Sequence, residues 1–234
     1  MTPESKPSLR VASWNIHKAV GTDRRRDADR ILEGIAALGA DIVALQEADR
    51  RLGDRPSALP RDRIAALTGL VPLPIGRNSV SLGWHGNALL ARPDMHLTGV
   101  DHLDLPGHEP RGAVIADLDT PAPLRVVAVH LGLLRAARRQ QLDAIKIALN
   151  RLPARPTVIL GDFNEHSRRV GLGRIATPFV ILPTAPTFPA RRPFLPLDRI
   201  VHSPDLDLIP LHQDQSRGHQ PSDHLPLLAE LRWL

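Results

Sequence analysis

Most apolar segments of this chain have the length of a β-strand, and several of them end on a polar residue that can bind a metal ion or a phosphate. One segment ends on Asn15, another on Glu47, a third near His130, and "TVILGDFN" ends with Asp162 and Asn164. Polar groups buried at strand ends are unfavourable unless partners satisfy them. A fold that gathers these ends around a hard cation and a phosphate would supply the partners.

Hydrophobic periodicity predicts more strand than helix, with helices set between groups of strands. The predicted strands are 9–16, 41–47, 86–92, 111–119, 124–132, 157–164, 197–203, 205–212 and 225–234, and the predicted helices are 27–40, 61–70 and 134–151. In the third helix, Arg138 and Arg139 are expected to face water. Residues 167–197 are rich in Pro and Arg and predict a loop with one helical turn. We expect a flexible lead over residues 1–8 and a single domain over 9–234.

Composition limits the class of protein. Hydrophobic residues make up 42% of the 234 residues, which is enough for a sizeable core. No apolar window is long enough to span a membrane. Cysteine is absent, so disulfides and thiolate metal sites are excluded. The polar N-terminal segment does not resemble a signal peptide, and we expect a cytoplasmic protein.

The charge favours an anionic partner. The formal net charge is +5 with a pI near 10.8, and almost all of the basic residues are arginines, which suit bidentate contacts with phosphate. Aromatic residues make up only 3% of the chain, and there is no tyrosine. This scarcity argues against a surface that stacks unpaired bases. Nucleic acid, particularly DNA, would therefore be bound through its backbone with little sequence specificity.

Four short motifs carry the chemistry: "SWNIHK", "LQEAD", "GDFN" and "SDHLPL". Each has an ordinary explanation when it stands alone, because an acid after a strand is often a solvated loop start and Asn often caps or turns. In the last motif, Asp223 and His224 are adjacent and therefore point to different sides, so one can face a metal ion while the other faces a substrate. The four motifs together, in this order, are far more specific than any one of them.

With these motifs, the chain resembles the endonuclease/exonuclease/phosphatase superfamily, which includes DNase I-like nucleases, neutral sphingomyelinases and inositol polyphosphate phosphatases. The resemblance runs from "SWNIHK" to "SDHLPL", and "HGNALL", "RGAV", "VHLGL" and "LDRI" match a bacterial subgroup. It implies an α/β protein with a DNase I-like, four-layer αββα sandwich, in which two packed mixed β-sheets carry outer helices. It also implies an active site at one rim and, in most cases, a monomer.

The resemblance assigns the metal and the attacking water to named positions. Glu47 matches the principal ligand of a divalent metal, Asn15 lies beside it, and Asp223 matches a second carboxylate near the metal. Asp162 matches the residue that orients and helps deprotonate the attacking water. Asn164 matches the group that holds a phosphate oxygen or the metal.

Other positions are assigned to the phosphate. Asp198 and His224 match an Asp–His pair, and His130 matches a histidine that contacts phosphate. One branch of the superfamily places a tyrosine at the phosphate, and this chain has none, so Arg111 is a candidate clamp in its place. Asn87 is a candidate for phosphate binding or an ordinary turn residue. Two further residues in matching motifs have no assigned role: Lys18 and His85.

These residues predict phosphoester hydrolysis supported by Mg²⁺ or Mn²⁺, because carboxylate and amide oxygens suit such ions and the ion would neutralise phosphoryl charge. A bond from Asp198 to His224 would fix the imidazole tautomer and favour its cationic form. Three functions remain open. The first is a nuclease of low sequence specificity. The second is a phosphodiesterase or phosphatase for a phospholipid head group or a small phosphoester. The least favoured is a catalytically dead binding module.

Overall fold

The computed structural model describes residues 7–167, 171–211 and 220–234. The strands are β1 (Ser8–Asn15), β2 (Ile42–Gln46), β3 (Val71–Pro72), β4 (Ala88–Ala91), β5 (His96–Leu105), β6 (Arg111–Asp119), β7 (Leu124–His130), β8 (Thr157–Asp162), β9 (Val180–Ile181), β10 (Asp198–His202), β11 (Leu206–Leu211) and β12 (Leu227–Trp233). The helices are α1 (Ala28–Leu38), α2 (Arg61–Thr68) and α3 (Arg135–Asn150), with short 3₁₀ turns at His17–Ala19 and Leu172–Arg174.

The strands form two six-stranded sheets that pack face to face. The first sheet has the order β11-β12-β1-β2-β4-β3, and the second has the order β5-β6-β7-β8-β10-β9. Both are mixed sheets, because β1 pairs with β2 and β7 pairs with β8 in parallel while the other pairs are antiparallel. Alternate side chains of the two sheets, such as Val11 and Leu160, meet in one buried core.

The helices cover the outer faces of the sheets. Ile31 and Ile35 of α1 pack with Val43 of the first sheet, and α2 joins the same cluster. Leu142 of α3 packs with Val127 of the second sheet. These contacts complete the αββα sandwich predicted from the sequence, and that prediction is confirmed.

Local sequence signals explain the ends of α1. The side chain of Asp27 accepts hydrogen bonds from the Asp29 and Arg30 amides at the N-terminus, and Gly39 ends the helix in the left-handed region at φ 56°. Both residues are of the types that favour these positions, so the sequence predicted this helix closely.

Three strands were not predicted. The longest, β5, lies at the edge of the second sheet, and most of its residues are at least partly exposed. Only a few side chains of β5, such as Leu97 and Leu103, pack against the core, so its sequence has no regular alternation of apolar and polar residues to detect. The other two, β3 and β9, are only two residues long, and β9 falls within the segment predicted to be a loop. Residues 1–6 of the predicted lead, 168–170 of that segment and His212 lie outside the described residues.

The prediction that Arg138 faces water was wrong. Arg139 is exposed, but Arg138 is buried with 8% exposure, and its Nη2 donates to Glu165 Oε2 at 2.9 Å. The side chain turns toward the segment after β8, where a buried carboxylate pairs with it. Among the described residues, no helix combines the length and apolar character needed to cross a membrane.

Candidate active site

The ends of the central strands of both sheets meet at one rim. β1 and β2 are parallel, and β1 ends at Asn15 in register with Gln46, the last residue of β2. Glu47 directly follows Gln46, so Asn15 and Glu47 lie side by side at this rim. In the second sheet, His130 at the end of β7 and Asp198 at the start of β10 both lie in register with Asp162 at the end of β8. A hydrogen bond from Asn15 Nδ2 to Asp162 Oδ2, at 3.0 Å, joins the two sheets.

Asp162 lies at the centre of this rim and is only 2% exposed. Besides the bond from Asn15, its Oδ2 is 3.5 Å from His130 Nε2 and 3.8 Å from His224 Nε2. Its Oδ1 accepts from the Asn164 amide at 2.8 Å. Both carboxylate oxygens are therefore held in fixed directions.

Burial and the negative charge of Asp198 raise the pKa of Asp162 to about 7, and the positive charge of His224 opposes the shift. A carboxyl group with a pKa near neutrality exchanges its proton readily at physiological pH. This property suits a group that accepts a proton from water.

Asp198 and His224 form a buried pair. His224 Nδ1 lies 2.9 Å from Asp198 Oδ2, and the Thr187 hydroxyl donates to the same oxygen. Trp14 Nε1 donates to the His224 carbonyl at 2.9 Å and fixes the backbone. Burial opposes charge on the imidazole, but Asp198 outweighs burial and raises the pKa of His224 to about 9. At neutral pH His224 is therefore an imidazolium whose Nε2 points toward Asp162.

His130 stays neutral beside this pair. Burial lowers its pKa well below the usual value, and the positive charge of Arg111 lowers it further. Arg111 Nη1 lies 2.9 Å from His130 Nε2, so the guanidinium donates and the imidazole accepts. Arg111 also pairs with Glu109 at 3.0 Å. The Arg111 guanidinium thus lies between a solvent-open pocket, which it lines, and the buried cluster. This cluster consists of His130, Asp162, Asp198 and His224.

Glu47 is partnered by a residue to which the sequence assigned no role. The Lys18 ammonium donates to Glu47 Oε2, and both side chains are about a quarter exposed. His17, Lys18 and Ala19 are three consecutive non-glycine residues in the left-handed region, with φ of 46°, 55° and 61°, and Glu47 has φ 55°. This conformation is unfavourable for L-residues and is found at functional sites that need a particular geometry. Its only sequence signal is the "NIHK" motif.

Asp223 lies at the exposed edge of the rim. Its side chain is 36% exposed, with Oδ1 3.7 Å from His17 Nδ1. The preceding hydroxyl, of Ser222, donates to the Asn15 carbonyl at 2.6 Å and holds this segment against the end of β1. Asp223 therefore lies on the same side as Asn15, while His224 turns inward.

The structure separates the two candidate asparagines. Asn164 follows β8 with φ 49°, and its Nδ2 donates to the Leu131 carbonyl at 2.9 Å, so it lies at the rim. Asn87 is fully buried, and its Nδ2 donates to the carbonyls of Trp84 and Gly112 at 3.2 and 2.9 Å. Its Oδ1 has no hydrogen-bond partner among the described residues. These backbone contacts are those of a turn residue, and a role for Asn87 at the phosphate stays a prediction.

Gly161 explains the glycine of "GDFN". A Cβ at this position would lie 1.9 Å from the Val129 carbonyl oxygen, so no side chain fits there. Glycine therefore lets β8 approach β7 closely, immediately before Asp162.

A pocket of about 80 Å³, open to solvent, adjoins the buried cluster. Glu47, Arg111 and His130 line it, together with His85, to which the sequence assigned no role. Three further lining residues were not selected from the sequence: Arg50, Arg51 and Arg55. The run "DRRLGDR", which begins two residues after Glu47, was the signal that could have revealed the arginines.

The comparisons with known proteins agree with this geometry. Residues 12–224 match the sequence profile of the Endonuclease/Exonuclease/phosphatase family. The chain belongs to this family. The activities in its name are hydrolyses of phosphoester bonds. The uncharacterised protein YbhP of Escherichia coli K12 is 32% identical in an alignment that covers 96% of each chain.

Solved structures share the fold at lower identity. The endonuclease/exonuclease/phosphatase from Beutenbergia cavernae has a TM-score of 0.70 at 24% identity, covering 97% of this chain and 72% of that one. The mannosyl-6-phosphatase Bt3783 of Bacteroides thetaiotaomicron has a TM-score of 0.72 at 18% identity, covering 96% of this chain and 100% of that one. At these identities, the structural likeness shows the fold alone.

The donors at the rim fit a hard divalent cation. Asn15, Glu47 and Asp223 offer amide and carboxylate oxygens, and the chain has no thiolate. Ligand atoms of Asp162 and Asp198 also lie within 4.8 Å of each other, whereas the His224 imidazolium has no free lone pair for a cation. Asp198 Oδ1 is buried and has no hydrogen-bond partner among the described residues, so the cluster has unused acceptor capacity.

Proposed function

We propose that this protein is a divalent-metal-dependent phosphodiesterase, and that its substrate is nucleic acid, most directly DNA, cleaved with low sequence specificity. The observation that carries this proposal is the buried Asp162 carboxylate, which accepts a hydrogen bond from Asn15 and lies beside His130 and the Asp198–His224 pair. Maintaining buried charges at strand ends destabilises a fold, and catalysis is the simplest reason to keep them.

The contacts of each residue support the role proposed for it. Asp162 has the pKa and the fixed direction to take a proton from an attacking water. The His224 imidazolium, oriented by Asp198, stabilises negative charge that develops on the phosphoryl group. Arg111 and Asn164 bind the phosphate oxygens. Mg²⁺ or Mn²⁺, held by Glu47, Asn15 and Asp223, would supply neutralisation of phosphoryl charge.

Charge and composition favour nucleic acid among possible substrates. The net charge of +5 suits a polyanion, and the 3% aromatic content suits backbone contacts in place of base stacking. A small phosphoester is the second candidate, because a protein of the same fold is a mannosyl-6-phosphatase. A phospholipid head group as the substrate belongs to the same second candidate. A dead binding module is least supported, because every catalytic motif residue is retained.

The proposal is tested with purified protein on supercoiled plasmid DNA. We expect nicking with Mg²⁺ or Mn²⁺ and complete loss of nicking in EDTA. In parallel, bis(p-nitrophenyl) phosphate, a phospholipid panel and mannose 6-phosphate are incubated under the same conditions. Intact DNA together with hydrolysis of one of the other substrates would replace the nuclease with the second candidate. If no phosphoester is hydrolysed with any divalent metal, the enzyme proposal is wrong.

Lys18 should weaken metal binding, because its ammonium occupies the carboxylate of the proposed principal ligand. Replacing Lys18 with methionine is expected to lower the dissociation constant for Mn²⁺ by about two- to fivefold, the range of a partly exposed ion pair. Calorimetry without substrate measures this constant. The control is Lys146→Met on α3, which should leave it unchanged. Weaker Mn²⁺ binding in Lys18→Met would show that Lys18 supports the site instead of competing for it.

A further inference from the structure

The loop after β2 places three arginines beside the candidate active site. Arg50, Arg51 and Arg55 line the same pocket as Glu47 and Arg111. With Lys18, the pocket carries five cationic side chains and two carboxylates, those of Glu47 and Asp49. The proposed mechanism uses Arg111 for the scissile phosphate and gives the three loop arginines no function.

Neither carboxylate neutralises the loop arginines. Glu47 is engaged by Lys18. Asp49 is turned into the protein, where it accepts from the Ser81 hydroxyl at 2.6 Å and the Leu82 amide at 2.7 Å. Within 7–167, 171–211 and 220–234, no carboxylate forms an ion pair with any of the three arginines. The uncompensated positive charge in the pocket therefore favours binding of an anion that is not part of this chain.

The loop backbone and the side chain of Arg55 are held in place. The Arg50 amide donates to the Pro56 carbonyl at 2.8 Å and closes the loop, and Asn78 Nδ2 donates to the Asp54 carbonyl at 3.1 Å. Arg55 has φ 53°, and its Nη1 lies 2.9 Å from His85 Nδ1. A guanidinium can only donate, so the neutral imidazole accepts. This contact gives His85 a positioning role.

We propose that the loop arginines Arg50, Arg51 and Arg55 bind a second phosphate group, one that neighbours the scissile phosphate in the substrate. This inference rests on the proposed phosphodiesterase function and narrows its substrate class. The guanidinium groups of these arginines are planar, fork-shaped donors, and they line the pocket beside the buried cluster. Donors of this shape match the oxygens of a phosphate. The neighbouring phosphate can be an internal diester of a nucleotide chain or a terminal monoester.

Three substrates separate these cases. The dinucleoside monophosphate dTpdT has only the scissile phosphate, pdTpdT adds a terminal monoester, and dTpdTpdT adds an internal diester. For the wild type at fixed ionic strength, we expect kcat/KM to be about tenfold higher with a second phosphate, mainly through KM. A preference for pdTpdT alone identifies a monoester as the source, and an equal preference for dTpdTpdT identifies a nucleotide chain.

The variant Arg50→Ala/Arg51→Ala should reduce this preference from about tenfold to about one. Both side chains are exposed, so the fold is not expected to change. The control, Arg10→Ala/Arg151→Ala, also removes two exposed arginines, but from the ends of β1 and α3 that lie away from the rim. It should retain the preference. A wild type without the preference, or a loop variant that retains it, would overturn the inference.

Binding separates this inference from the proposed function. Fluorescence polarisation in EDTA compares labelled pdTpdT with labelled dTpdT, and it requires no turnover. If the wild type hydrolyses nothing, the proposed function fails, but tighter binding of pdTpdT that disappears in the loop variant still supports the subsite. Equal binding of the two dinucleotides to the wild type contradicts the subsite whatever the activity.

Discussion

Replacing Asp162 with asparagine should lower kcat for phosphodiester hydrolysis by about 10²–10⁴-fold, the range for loss of a positioned general base. Asparagine keeps the shape of the side chain and can still accept from the Asn164 amide, but it cannot take a proton from water. The loss should appear in kcat more than in KM, because the substrate is held by other groups. Steady-state kinetics on plasmid DNA or bis(p-nitrophenyl) phosphate measure both constants.

Two measurements guard against a folding artefact. The far-UV circular dichroism spectrum of Asp162→Asn should match that of the wild type, and its unfolding temperature in EDTA should stay close to the wild-type value. Asp101→Asn is the matched control, because Asp101 is an exposed carboxylate on the edge strand β5. It should keep full activity. If Asp162→Asn folds and retains more than about a tenth of the wild-type kcat, Asp162 is not the base.

The convergence at the rim could be predicted because its signals are local. Asn15, His130 and Asp162 each end an apolar strand, and parallel neighbours in a sheet bring such ends to the same edge. The Asp198–His224 contact was implied by family resemblance and is present at 2.9 Å. Strand pattern and motif thus located most of the candidate site, although the catalytic roles of its residues remain proposals.

Other features depended on tertiary contacts that no local pattern encodes. The burial of Asn87 follows from its bonds to the backbone at Trp84 and Gly112, and Gly112 is distant in sequence. The Lys18–Glu47 contact requires three consecutive left-handed residues, which no propensity favours. An arginine on a helix is normally solvated, so only the fold reveals that Arg138 is buried.

Arg138 leads to the largest expected effect on stability. Its Nη2 donates to Glu165 Oε2 at 2.9 Å, and its Nη1 donates to the carbonyls of Gly132 and Leu133. Both members of the ion pair are less than 10% exposed. Replacing Arg138 with methionine leaves a buried carboxylate without its cation, which should lower the free energy of unfolding by about 3 kcal/mol at pH 7. Urea unfolding followed by circular dichroism measures the difference.

The control and the rescue distinguish this mechanism from a general loss of packing. Arg139→Met changes the exposed neighbour and should alter stability by less than about 0.5 kcal/mol. Adding Glu165→Gln to Arg138→Met removes the unpaired charge and should recover part of the loss. If the double variant is no more stable than Arg138→Met, the cost arises from lost packing or lost carbonyl contacts instead of the stranded carboxylate.

The pH dependence of the same variant supplies an independent check. Burial alone would raise the pKa of Glu165, but the Ser167 amide and Arg138 outweigh it, so the pKa lies below its usual 4.5. A carboxylate with a lowered pKa contributes stability that is present above pH about 4.5 and is lost as the pH falls through the folded-state pKa. The deficit of Arg138→Met should therefore be largest near neutrality and shrink in acid. The ion pair links Arg138 to the segment that carries Asn164, because Glu165 directly follows Asn164. A deficit that persists in acid would instead show that Arg138 stabilises the fold through its bonds to the Gly132 and Leu133 carbonyls.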